Sequence, residues 1–132
     1  MSFKDLMLNF AQALGGVSRY DGDVWVIEMP VEDYTRVLFF RLNTVQTEDD
    51  TRESLLVCFT RLGDYRGERA LQRLEGMLRL ATELRYARVA LLDGELVLFG
   101  LAPEASTEAN MLEMVYEVAW MGEQFSHELA RL

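Results

Sequence analysis

The chain has 132 residues, half of them hydrophobic, which suits a single domain, spanning residues 1–132, with a core of its own. Thirteen Lys and Arg stand against 22 Asp and Glu, a net charge of −9, and no basic stripe with interleaved aromatics occurs, so nucleic acid and anionic membranes are excluded as expected partners. One cysteine, Cys58, leaves no intramolecular disulfide, and Asp5, Asn9 and Gln12 interrupt the N-terminal apolar residues short of a signal-peptide core or membrane span. A soluble protein of a reducing, cytoplasmic setting is expected.

Ser2 followed by Asp5 resembles a capping box, and Phe3, Leu6, Met7, Phe10 and Leu14 recur at helical spacing until Gly15-Gly16 stops the helix. Three strand-like runs follow: VWVIEMP from Val24, Thr35 to Val45, and Glu53 to Leu62. Joined in sequence they predict an antiparallel meander. Side chains alternate across a strand, so Trp25, Ile27, Met29, Leu38, Phe40, Leu42, Leu56, Cys58 and Leu62 fall on one face, the expected core. The opposite face gathers Val24, Val26, Val37, Phe39, Leu55, Val57 and Phe59, interrupted by Glu28, Arg41 and Arg61. That face is too apolar to be left wholly in water.

From Arg66 to Tyr86 a second helix is expected, its stripe formed by Ala70, Leu71, Leu74, Met77, Leu78, Ala81 and Leu84. Two apolar runs, Val89 to Leu92 and Leu96 to Phe99, then flank Asp93-Gly94, the pair that a type I′ hairpin requires. A third helix from Thr107 to Leu132 has Ser106 or Thr107 as its N-cap and a stripe of Met111, Val115, Val118, Gly122, Phe125 and Leu129. The predicted fold is α+β, in the order α-β-β-β-α-β-β-α, an antiparallel sheet flanked by three helices.

Reactive chemistry is sparse. There is no Gly-rich phosphate loop, CxxC pair, HExxH or GxSxG, the acidic loops lack calcium-loop spacing, and the lone His127 lacks convergent partners. Cys58 on the core face reads as a small hydrophobe. The chain is therefore expected to be no enzyme and to hold no cofactor or metal. Glu108, Glu113, Glu117, Glu123 and Glu128 are read as the wet face of the last helix. Either the three helices divide over both sheet faces, or the strands curl and bury the second face themselves, or an outside partner covers it.

The element order, the size, the acidity and the stretch RVALLDGELVLFGLAP followed by MLEMVYEVAWMGEQFSHEL resemble the class I type III secretion chaperones, the Tir chaperone family. The resemblance implies a cytoplasmic homodimer of a Gram-negative bacterium that binds the N-terminal segment of a secreted virulence effector, keeps it soluble and aids its delivery to the export apparatus. It places the dimer interface on Leu71, Leu74, Leu78, Val89 and Leu91. The client would lie against the first helix and the meander, at Leu6, Phe10, Val26, Val37, Phe39, Val57 and Phe59, partly by adding a strand to a sheet edge. The alternative is an adaptor of the same fold that contacts a folded regulatory partner.

Overall fold

Residues 2–64 and 67–131 are described by the structure, a computed structural model. The N-terminal cap forms as its sequence requires: the Asp5 backbone N–H donates to Ser2 Oγ at 3.1 Å, and helix α1 runs from Phe3 to Leu14. Gly15 closes it at φ 70°, the left-handed conformation that a helix C-terminus reserves for glycine.

Four strands follow: β1 (Val17–Asp21), β2 (Val24–Val31), β3 (Tyr34–Gln46) and β4 (Arg52–Asp64). Next come helix α2 (Ala70–Leu80), a 3-10 turn (Ala81–Glu83), strands β5 (Ala87–Leu92) and β6 (Glu95–Pro103), and helix α3 (Glu108–Arg131). The six strands form one sheet in the order β1-β2-β3-β4-β6-β5, and every neighbouring pair is antiparallel. The expected α+β architecture is the one observed, with one strand more. Strand β1 is short, polar and almost wholly exposed, so no hydrophobic alternation announces it. It forms because the turn at Gly22 folds it back on β2, where Arg19 bonds Glu28 across the pair.

Asp93 and Gly94 adopt φ of 51° and 82°, as a type I′ turn demands, and join β5 to β6. Thr107 supplies the cap of α3, its Oγ1 accepting the Asn110 N–H at 3.2 Å. Helix α2 ends earlier than its periodicity suggests. The chain turns extended at Leu84, because Glu117 of α3 accepts the backbone N–H groups of Arg85, Tyr86 and Ala87 at 3.0, 2.7 and 2.7 Å. Three donors on one carboxylate outweigh another half-turn of helix. The predicted start of this helix, Arg66, and the end of the last one, Leu132, lie outside the described residues.

All three helices lie on one side of the sheet. Helix α1 packs on β1 and β2, α3 crosses β3 to β6, and α2 packs on α3. Ile27, Met29, Leu38, Phe40, Leu56, Cys58 and Leu98 are completely buried beneath them, with Met7 and Phe10 of α1 and Met114, Val115 and Val118 of α3. Small residues permit this approach. A Cβ on Gly100 would meet Met114 Sδ at 2.5 Å, and one on Gly122 would meet Thr60 Cγ2 at 2.6 Å.

Candidate partner-binding site

Among the described residues no helix covers the other face, and the strand register shows what it carries. One row crosses the whole sheet: Arg19 pairs with Val26, Val26 with Phe39, Phe39 with Phe59, Phe59 with Phe99, and Phe99 with Arg88. Arg41, Val57 and Leu101 form a row on one side of it, and Arg61, Val97 and Ala90 one on the other. Phe39 and Phe59 stack with their ring centroids 4.9 Å apart, and the Arg61 guanidinium sits 5.3 Å from the Phe39 centroid. Val37, Phe39, Val57, Phe59 and Phe99 are half-buried.

Five of the sequence-selected residues, Val26, Val37, Phe39, Val57 and Phe59, thus share this face. Val26 is sealed within it at 1% exposure and supports the surface rather than presenting itself. Leu6 and Phe10 do not join them, since α1 packs on the opposite face. Phe10 is fully buried, its ring 6.1 Å from that of Phe40. Leu6 instead lines a slot of about 280 Å³ with Phe3, Leu42, Leu56 and Met111, rimmed by Glu104 and Glu108. Beside the slot β3 has an open edge: its pairing with β2 stops at Phe40, whereas its pairing with β4 continues to Gln46.

On α2, Leu71 and Leu78 are exposed, while Leu74 turns inward against the core. Val89 and Leu91 sit on β5, an edge strand, with their side chains on the helix-covered side; Val89 packs on the core and Leu91 is half exposed.

The sequence reading missed several contributors. Val97, Phe99 and Leu101 were visible in the alternation of ELVLFGLAP, but their place beside Phe59 depends on β6 pairing with β4 across an intervening helix and strand. Two carboxylates read as solvated are structural. Glu117 holds the start of β5, as described, and Glu123 Oε2 meets the buried Arg36 Nη2 at 3.0 Å while its Oε1 lies 2.8 Å from His127 Nε2. Arg36 also donates to the Arg61 carbonyl at 3.1 Å, and burial lowers its pKa. Burial drives the Cys58 thiol well above its ordinary value, which leaves it protonated and unreactive.

Among the described residues no helix is long and apolar enough to cross a membrane. No protein-family model matches the chain, and no curated protein matches its sequence significantly.

Proposed function

We propose that this protein is a type III secretion chaperone: a cytoplasmic homodimer that binds the N-terminal segment of a cognate effector, keeps it soluble and aids its delivery to the export apparatus. The observation that carries this reading is the sheet whose own helices cover one face only, leaving Phe39, Phe59 and Phe99 in a row on the other. A chaperone of this kind works by binding alone, without a catalytic step.

An extended client strand pairs with the open edge of β3 between Arg41 and Gln46, where main-chain hydrogen bonds supply affinity without regard to sequence. The neighbouring slot around Leu6, Leu42 and Leu56 takes one apolar side chain of that strand and supplies selectivity. A second copy docks on the exposed Leu71 and Leu78 of α2 and along β5, an edge strand of the sheet.

The test is affinity purification from the native host at endogenous level, with mass spectrometry and limited proteolysis of the complex. A single larger protein held through a protease-protected N-terminal segment is the expected outcome. Recovery of folded regulatory proteins alone would favour the adaptor, and recovery of nothing would reject the chaperone reading.

A further inference from the structure

We propose that the open sheet face docks an acidic amphipathic helix of the partner, a contact separate from the strand at the β3 edge. The inference rests on the chaperone reading and adds the chemistry of a second client element.

Backbone satisfaction favours a helix on this face. The N–H and C=O groups of a sheet point along it toward neighbouring strands, so a face offers side chains only. A chain lying on that face must satisfy its own main chain once water is excluded, and a helix does so by itself. The row from Arg19 to Arg88 crosses six strands, about 24 Å at the usual spacing, which is the length of a helix of roughly 16 residues.

Charge favours an acidic one. In a protein of net charge −9, Arg41, Arg61 and Arg88 surround the phenylalanine row, and none has a carboxylate within salt-bridge distance among the described residues. Arg19 differs, being held by Asp21 and Glu28. The remaining carboxylates of this face, Glu53 near the start of β4, Asp64 at its end and Glu95 at the start of β6, stand away from the row. A helix with an apolar stripe flanked by Asp and Glu matches this pattern, and a basic helix does not. A depression of about 220 Å³ bounded by Arg41, Val57, Phe59, Ala90, Val97 and Phe99 seats one large apolar side chain of the stripe.

Single-stranded nucleic acid fits less well. Phe39 and Phe59 already face each other and Arg61 covers Phe39, so these ring faces are closed to stacked bases.

Three probes test the proposal by fluorescence anisotropy: a synthetic helical peptide of roughly 18 residues with a leucine stripe flanked by glutamates, the same peptide with lysines for glutamates, and a labelled oligothymidylate. The glutamate peptide is expected to bind at least about tenfold more tightly than the lysine peptide at low salt, with the gap narrowing as salt rises. In the triple variant Arg41→Glu, Arg61→Glu, Arg88→Glu the preference should reverse. A proline in the middle of the glutamate peptide should abolish binding. Equal binding of the two peptides, no binding of either, tolerance of the proline, or tighter binding of the oligonucleotide would each overturn the proposal. The native client separates this failure from that of the chaperone reading: if the triple variant, folded by circular dichroism, retains the client as well as the parent does, the helix site falls and the chaperone stands.

Discussion

Phe39 and Phe40 are neighbours in one strand, yet they inhabit two different regions of the molecule. Phe40 looks toward α1 and is fully buried beside Ile27, Leu38 and Cys58, whereas Phe39 is on the opposite face, half-buried against Phe59 and Arg61. Both faces carry large apolar side chains. They differ in their small residues: Gly100 on the covered face lies against Met114 and Val118 of α3, and Gly122 of α3 lies against Thr60 and Leu98 of the sheet, which lets helix backbone approach the sheet closely. The open face has Ala90 as its one small residue in the central rows, and its aromatic row would hold a helix farther off. A sheet face is closed by a partner whose shape it admits, and apolar content alone does not supply one.

The largest expected effects lie on the covered side. Phe40→Ala should cost about 3–5 kcal/mol in urea denaturation, the usual range for emptying a packed aromatic site, and Phe39→Ala at most about half of that, since Phe39 is only half-buried. Equal losses would mean that the two faces are equally packed. Glu123→Ala strands the guanidinium of Arg36 in the core and should cost about 3 kcal/mol. The double substitution Arg36→Met, Glu123→Leu removes both charges and should restore most of that loss; failure to do so would show that the pair contributes by more than mutual neutralisation.

A pH experiment probes the same side with a smaller effect. The folded state raises the Cys58 pKa, so it favours the thiol, and this contribution is complete below the unfolded thiol's 9.0. As pH rises past that value the unfolded chain ionises first and stability falls, by up to about 1.4 kcal/mol per pH unit, until the folded thiol titrates too. Cys58→Ala should therefore flatten the pH dependence between 9 and 10.5 relative to the parent, as read from urea midpoints. An identical slope in both proteins would place Cys58 outside the closed core.

How much of this was legible in the sequence follows the range of the forces involved. The Ser2 cap, the Gly15 stop and the Asp93-Gly94 turn are local devices with one structural answer each, and all three are observed. The alternation in β2, β3 and β4 sorted both faces correctly because a period of two leaves no other choice. What escaped depends on contacts between distant segments. Strand β1 exists through β2, α2 ends where Glu117 intervenes from α3, and Glu123 leaves the solvent because Arg36 enters the core. Nothing near Glu117 or Glu123 in the sequence separates them from Glu113 or Glu128. The same limit split the site: Leu6 and Phe10 have the right residue types, but only the packing of α1 reveals that they belong to the opposite side from Phe39.

The smallest change in folding stability is expected at α2, and there it separates surface from core within a single helix. Leu71 and Leu78 are 68% and 54% exposed, so Leu71→Asp or Leu78→Asp should alter the stability of a single chain by no more than about 0.5 kcal/mol. Leu74, one helical turn from each and packed against the core cluster, should respond to Asp by unfolding. If a second copy docks on this helix, light scattering of the parent should report twice 15.2 kDa, and the two exposed substitutions should return the single-chain mass without loss of helix signal. A dimer that survives both changes would remove α2 from the interface and leave the β5 edge to hold the copies together, and a proline at Ala90 would then be the substitution that separates them.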